Sequence, residues 1–116
     1  MTNPIPLETI LGEFSDDREA WVLQDRDSGQ YVIVPDPRFP GRRPIRLFMK
    51  RGDAEAFLME LVDVNKKLAE AEIYPVSVNL KRAIQGIASD TNPNNADAFV
   101  VHSPNEIYEW LRDRSA

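Results

Sequence analysis

Cysteine is absent from the sequence, and its absence excludes disulfide cross-links, thiolate metal ligands and a cysteine nucleophile. No apolar run approaches the roughly 20 residues that a membrane-spanning helix needs. The opening segment MTNPIPLETILGEF lacks the basic start and the continuous apolar core of a signal peptide. From these absences we expect a cytoplasmic protein that folds without covalent cross-links.

An excess of positive charge is also lacking, since 14 Lys and Arg residues face 19 Asp and Glu residues for a net charge of −5. Such a balance opposes general attraction to nucleic acid or to anionic membranes. The chain has 116 residues, of which 42% are hydrophobic, so it is long enough to bury one core. We expect a single domain that spans residues 1–116.

Signatures of cofactor chemistry are missing as well. The sequence has no Gly-rich phosphate motif, no zinc-ligand pattern, no nucleophile elbow and no aromatic RNA-binding signature. We therefore expect no cofactor, and an enzyme would need a site that the sequence does not announce.

The first part of the chain predicts a short helix followed by a β-hairpin. LETILGEF has helical apolar spacing. Residues 20–25 and 30–35 are rich in β-branched and aromatic residues and flank the turn-forming segment RDSG. These two runs predict antiparallel strands.

A strand and a long helix are predicted next. PIRLFMK alternates, with Ile45 and Leu47 on one face and Arg46 and Phe48 on the other. Asp53 could cap the helix that follows, whose apolar face is predicted to run from Phe57 to Leu68 with an interruption at Asn65.

A strand, a helix and a further strand come after that helix. IYPVSVN predicts a strand, and Pro75 indicates that its first residues lie at an edge of the sheet or outside the ladder, because proline lacks a backbone donor. NLKRAIQGIAS predicts a helix that buries Leu80, Ala83, Ile84 and Ile87, and DAFVVHS predicts a strand.

The end of the chain carries a helix-start pattern. Ser103, Pro104 and Glu106 fit a capping box and predict a final helix over SPNEIYEWL. The whole pattern predicts an α/β (α+β mixed) fold: a single mixed sheet with an N-terminal antiparallel hairpin followed by β-α-β-α-β-α crossovers.

Two possible sites in the C-terminal part are not supported by their own chemistry. Asp90, Asn92 and Asn94 begin like a calcium loop, but Val101 stands where the bidentate Glu is required, so no metal is predicted. His102 and Ser103 are neighbours on a strand and point to opposite faces, so we expect them not to form a nucleophile–base pair.

Positive charge is concentrated around a loop that is rich in proline. The segment PDPRFPGRRP, residues 35–44, is called the proline-rich loop below; it cannot pair inside a sheet, and we expect it to be exposed. A stiff loop with arginines and one aromatic ring suits recognition, because it loses little entropy on binding. The alternative is a loop kept in solution by its charge. The predicted partner-binding residues are Arg38, Phe39, Arg42, Arg43 and Arg46.

Two family resemblances bear on this interpretation. PIRLFMKRGDAEAFLMEL followed by IYPVSVNLKRAIQ, within residues 44–85, resembles the strand, DA helix, strand and helix of the chloroplast import component family related to the inner-envelope translocon, whose bacterial relatives are thought to assist protein transport. The same region continued through NPNNADAFVVHSPNEIYEWL is similar to the SseB-like module, with its Asn-Pro turn at Asn92 and Pro93. Both resemblances imply an α/β fold and a non-catalytic role, and neither supplies a catalytic residue.

Three functions remain open from the sequence. The first is a protein-interaction or regulatory module of the bacterial cytoplasm that binds an acidic protein partner through the proline-rich loop and a neighbouring sheet edge. The alternative is an immunity-type inhibitor of a toxin, since such proteins are often short, acidic and free of cysteine. The third is a small enzyme with an unrecognised site. A homo-oligomer is compatible with each of them.

Overall fold

A computed structural model describes residues 7–14, 18–34, 36–89, 96–103 and 106–112, and Leu7 only in its backbone. Within these ranges the chain forms three α-helices, one 3-10 helix and one five-stranded sheet. In chain order the elements are α1 (Leu7–Glu13), β1 (Glu19–Asp25), β2 (Pro44–Phe48), α2 (Arg51–Val64), the 3-10 helix (Lys66–Ala69), β3 (Ile73–Asn79), α3 (Leu80–Ala88), β4 (Ala98–His102) and β5 (Ile107–Leu111).

The sheet has the strand order β3-β1-β2-β4-β5 and is mixed. β1 is antiparallel to both of its neighbours, β2 and β4 are parallel, and β5 is antiparallel to β4. β2, β3 and β4 therefore run in one direction, as crossovers through α2 and α3 require. The mixed α/β fold class predicted from the sequence is confirmed, and so is the edge position of the strand that contains Pro75.

Two predicted elements are wrong. Residues 30–34 do not form a second strand of the sheet. They contact β1 only briefly, through an isolated bridge between Gln24 and Tyr31 and through backbone hydrogen bonds from Val32 N–H to the Leu23 carbonyl at 2.8 Å and from Asp25 N–H to the Gln30 carbonyl at 2.9 Å. The predicted final helix is β5, which turns back against β4. Tyr108 and Trp110 pack against the apolar core while Glu109 lies between them, and this period of two matches a strand.

The helix starts also differ in detail from the predictions. α2 begins at Arg51, so Asp53 lies in its first turn rather than at its cap. Asn65 ends α2, and its side chain caps the 3-10 helix by accepting a hydrogen bond from the backbone of Lys67. Among the described residues, no helix has both the length and the apolar content to cross a membrane.

The two faces of the sheet are covered differently. On the first face, α1 and α3 pack on the sheet through a cluster that is almost entirely apolar, with Ile10, Ile45, Leu80, Ile84 and Phe99 fully buried. On the second face, α2 covers one part through Ala54, Phe57, Leu58 and Leu61. The rest of this face carries polar side chains from β2, β4 and β5, over which the proline-rich loop is bound. This polar part of the second face contains the candidate site.

Candidate functional site

Asp36 is the centre of the candidate site. Its side chain is only 4% exposed. The carboxylate accepts hydrogen bonds from the backbone N–H of Arg38 at 2.9 Å, from Arg38 Nη2 at 2.9 Å and from Arg46 Nη2 at 2.6 Å. The hydrogen bond from the Arg38 side chain, opposed by burial and helped by the charge of Arg46, lowers the pKa of Asp36 to about 2. Asp36 is therefore an anion at any physiological pH.

Arg46 connects this carboxylate to β4 and to α2. Its Nη1 lies 3.0 Å from Nε2 of His102, and its guanidinium carbon lies 5.1 Å from the centre of the Phe57 ring. A guanidinium can only donate, so His102 accepts at Nε2 and carries its proton on Nδ1. Phe48 stacks on the imidazole at 4.7 Å. Burial, together with the charges of Arg46 and Arg38, lowers the pKa of His102, so the ring is neutral at pH 7.

Arg38 extends the network to β5. Its Nη1 donates to the carboxylate of Glu109, and its guanidinium carbon lies 5.1 Å from the centre of the Phe39 ring. The bond to Asp36 is the largest of the effects that raise the pKa of Arg38. The Asp36 network is defined here as Asp36, Arg38, Arg46, His102 and Glu109, and it joins the loop to three strands of the sheet.

The proline-rich loop has a fixed path over this network. Phe39 N–H donates to the Asp36 carbonyl at 2.9 Å, and Arg42 N–H donates to the Phe39 carbonyl at 3.1 Å. Gly41 has a φ of 74°, which only glycine adopts without strain. The expectation that this loop is exposed is wrong for Asp36, Phe39 and Pro44, which are all buried. The ring of Phe39 therefore faces the protein rather than solvent. The expectation that the loop cannot pair inside a sheet is wrong at Pro44, which begins β2 and lies opposite Ala98 of β4.

The remaining two arginines lie at the end of the loop. Arg42 donates through Nη1 to the Arg112 carbonyl, and the same nitrogen lies 3.9 Å from the Asp97 carboxylate. The backbone N–H of Arg43 donates to Asp97 Oδ1 at 2.7 Å, while the residue as a whole is exposed. These contacts connect the loop to the segment before β4 and to the end of β5.

The structure therefore brings all five predicted residues into one region, although their surroundings differ. Arg38 and Arg46 share one buried carboxylate, Phe39 is buried and Arg42 is mostly covered. Their role in binding a partner stays a prediction. Sequence reasoning missed Asp36, Asp97 and Glu109, whose carboxylates contact these arginines. The Asp-Pro pair at the start of the loop is the one local signal for Asp36, because Asp in such a position bonds nearby backbone amides.

His102 and Ser103 do not act on each other in this structure. The Ser103 hydroxyl donates to the Glu106 carbonyl at 2.6 Å and accepts from the Glu106 N–H at 3.0 Å, so it joins the residue after β4 to the residue before β5 rather than capping a helix. Among the described residues, no cluster of three or more His, Asp or Glu side chains could hold a metal. Asp90, Asn92 and Asn94, which begin like a calcium loop, lie outside the described residues.

A shallow recess lies elsewhere in the fold. It has a volume of about 260 Å³ and is lined by Arg18, Glu19, Ser77, Val78 and Asn79, at the start of β1 and the end of β3. The Asp36 network contributes no residue to this lining.

Comparisons with known proteins support the fold. No family model matches the chain. Among solved structures the chain is similar to Tic22 of Anabaena, a protein of protein transport, with a TM-score of 0.51, 16% identity, and coverage of 84% of this chain and 46% of Tic22. The fold resemblance to the import component family is thus supported, whereas the SseB-like resemblance is not.

One curated protein matches part of the chain. It is LL-diaminopimelate aminotransferase 2 of Nostoc sp., which is 32% identical over 85 residues. The match covers 73% of this chain but only 20% of the aminotransferase. The chain therefore spans about one fifth of that relative and under half of the length of Tic22.

Proposed function

We propose that this chain is a non-catalytic protein-interaction module of the bacterial cytoplasm that binds an acidic protein partner through the outer surface of the proline-rich loop. One observation carries the proposal: the loop has a conformation fixed by a buried, ionised carboxylate, and it presents Arg43 on its outer side. A surface that is ordered before binding loses less entropy when the partner docks.

The positively charged side chains around the loop support an acidic partner. Arg38, Arg42, Arg43 and Arg46 lie close together, and the carboxylates of Asp36, Asp97 and Glu109 contact this group. His102 adds no charge at pH 7, because its pKa is lowered. Arg38 and Arg43 are exposed residues, so an acidic surface could approach them, in a protein whose total charge is −5. Charges of this kind mainly accelerate encounter with an oppositely charged surface.

The side chains of types that often act in catalysis make structural contacts here, which supports a non-catalytic role. His102 accepts a hydrogen bond from Arg46, and the Ser103 hydroxyl donates to the Glu106 carbonyl. The match to the aminotransferase supplies no residue role to this chain, since it covers one fifth of that protein.

Protein transport is a second candidate function. The observation in its favour is the fold similarity to Anabaena Tic22 over 84% of this chain. The identity of the captured partner separates the alternatives: a component of a transport apparatus favours this role, and a toxin favours an immunity-type inhibitor.

The experiment captures the partner with the tagged protein from the organism that carries the gene and measures association rates with the purified partner at two salt concentrations. Arg43→Glu should lower the association rate several-fold at low salt and reduce its salt dependence. Arg82→Glu is the matched control, because Arg82 is also exposed but lies on α3. Both variants should change the free energy of unfolding by less than about 0.5 kcal/mol. Equal effects of the two substitutions, or none at Arg43, would remove the loop from the interface.

A further inference from the structure

The two edges of the sheet differ in the backbone groups that they present. In an antiparallel pair, alternate residues direct both N–H and C=O toward the partner strand. Ser103 N–H donates to the Glu106 carbonyl at 3.1 Å, and Arg112 N–H donates to the Asp97 carbonyl at 2.7 Å, so the even-numbered residues of β5 bond to β4. Ile107, Glu109 and Leu111 therefore direct their backbone groups outward. Within the described ranges, no backbone bond reaches this edge.

The β3 edge, in contrast, offers fewer backbone N–H groups to an additional strand. Arg26 N–H donates to the Glu72 carbonyl at 2.8 Å in the same register, so the even-numbered residues of β3 bond to β1. Pro75 then lies at an outward position, where it has no N–H to offer. Ile73 is also outward, and its N–H is bonded to the Ala71 carbonyl. Proline on an edge is a common device against strand addition.

We propose that the open edge of β5 pairs with β5 of a second copy of this chain, antiparallel and with the twofold axis at Glu109. In this register Ile107 lies opposite Leu111 of the second copy, and Tyr108 lies opposite its Trp110. All three outward residues of each copy are then in hydrogen-bonded pairs, which gives a continuous ten-stranded sheet.

The side chains of β5 complement one another in this register. Ile107 is 52% exposed and would gain an apolar partner in Leu111. Tyr108 and Trp110 are already held, by Phe14 at 5.1 Å and Phe99 at 5.4 Å between ring centres. Aromatic pairs and apolar pairs across strands both stabilise a sheet. Ile107 and Leu111 lie on one face of β5 and Tyr108 and Trp110 on the other, so both faces would contribute to the pairing.

Charge at the twofold axis does not prevent this pairing. The register places two Glu109 side chains opposite each other, and like charges in that position repel. Each Glu109 already contacts Arg38 of its own copy, and Arg38 is 52% exposed in its side chain. The central cluster would thus contain two carboxylates and two guanidinium groups.

The β3 edge also limits the size of the assembly. Pairing of β5 with β3 of the next molecule would continue without end, because such head-to-tail contacts do not close. Pro75 opposes that mode, whereas β5 pairing with β5 uses one edge of each copy and ends at a dimer.

Sedimentation equilibrium of the wild-type protein up to about 1 mM tests the dimer, since weak homodimers have dissociation constants in this range. We expect the average mass to rise with concentration from that of the monomer toward twice that value. Ile107→Lys should weaken the dimer about tenfold, because it replaces two symmetry-related apolar pairs. Val64→Lys is the matched control, since Val64 is an 88% exposed apolar residue on α2. A monomer at every concentration, or an equal loss in both variants, would overturn the proposal.

Single cysteines test the register, and the chain has no cysteine of its own. Under mild oxidation Glu109→Cys should form a covalent dimer, because opposite residues of a hydrogen-bonded pair have Cα atoms about 5.5 Å apart. Ile107→Cys should not, since the two copies of residue 107 would be about 14 Å apart along the strands. Residue 107 is the more exposed of the two positions, so random collision predicts the opposite order. That opposite order, or equal rates, would contradict the proposed pairing.

Discussion

The two faces of the sheet are held by different kinds of interaction. Under α1 and α3 the contacts are apolar, and Leu80, Ile84 and Phe99 are fully buried. Under the proline-rich loop, a buried carboxylate binds Arg38 and Arg46. Burial of apolar area stabilises a fold without depending on pH. The stabilisation from an ion pair depends on the protonation state of its groups and on the direction of its hydrogen bonds.

This difference separates the part of the molecule that forms the core from the part that positions the loop. The apolar face can tolerate a range of side-chain arrangements of similar volume. The Asp36 network fixes one path of the loop, because each of its hydrogen bonds requires a particular donor. If the comparison is right, substitutions on the two faces should differ in pH dependence and in how far their effects spread.

The largest effect is expected on the apolar face. Ile84→Ala should lower the free energy of unfolding by about 3 kcal/mol, because it leaves a cavity under a fully buried side chain. The loss should be the same at pH 3 and pH 7. Met59→Ala is the control, since Met59 is apolar but 70% exposed, and it should have little effect. Urea unfolding at both pH values provides the measurement, and a strong pH dependence for Ile84→Ala would contradict the comparison.

A smaller effect with a clear pH dependence is expected on the charged face. Asp36→Asn should cost about 2 kcal/mol at pH 7, because Arg46 loses its contact with a buried carboxylate while Arg38 retains Glu109, and both guanidinium groups keep some access to water. The pKa of Asp36 is lowered from 3.8 to about 2, so the stabilisation is complete above about pH 4 and is lost as pH falls toward 2.

The difference between wild type and Asp36→Asn should therefore shrink as acid is added. Asp53→Asn is the control, since Asp53 is an exposed acid in the first turn of α2. Urea unfolding between pH 2 and pH 7 provides the measurement. A difference that stays constant over this interval would show that the carboxylate has no special role in the loop.

The smallest effect is expected at His102. The pKa of this ring lies below its ordinary value of 6.5 through burial first and the nearby arginines second. The unfolded chain therefore binds the proton first, and stability should begin to fall as pH drops below about 6.5. His102→Gln should flatten this part of the stability curve and cost less than about 1 kcal/mol at pH 7, since glutamine can still accept from Arg46. The chain has one histidine, so an unchanged slope in the variant would exclude His102 as its cause.

Elements with strong periodicity could be predicted from the sequence. The alternation of β2 placed Ile45 and Leu47 in the apolar cluster and Phe48 on the other face. The helical face of α3 was also predicted correctly, since Leu80, Ile84 and Ile87 are buried and Ala83 packs beside them. In both cases one local pattern agrees with one way of burying apolar area.

The last strand could not be predicted from its own residues. Ser103 and Glu106 satisfy a helix-start pattern and also bond to each other between the end of β4 and the start of β5. The choice depends on β4, whose outer side needs a hydrogen-bonding partner that a helix could not supply. The pairing of β5 with β4 determines that this segment is a strand, and the local sequence alone does not reveal that pairing.

The composition of the candidate site was only partly accessible. A cluster of arginines was visible in the sequence, but the carboxylates that neutralise it come from three separate segments, at Asp36, Asp97 and Glu109. Pairing over 71 residues, as between Arg38 and Glu109, has no sequence signal without the strand order. The excess of positive charge was therefore overestimated from the sequence.

Amide hydrogen exchange of the proline-rich loop tests most directly whether the Asp36 network fixes the recognition surface. In the wild type the amides of Arg38, Phe39 and Arg42 should be protected, because each donates to an acceptor within the loop. In Asp36→Asn this protection should fall by at least about tenfold, while the amides of α3 stay within twofold of wild type. Loop amides that exchange in the wild type as fast as an unstructured chain, or that keep their protection in Asp36→Asn, would contradict the account.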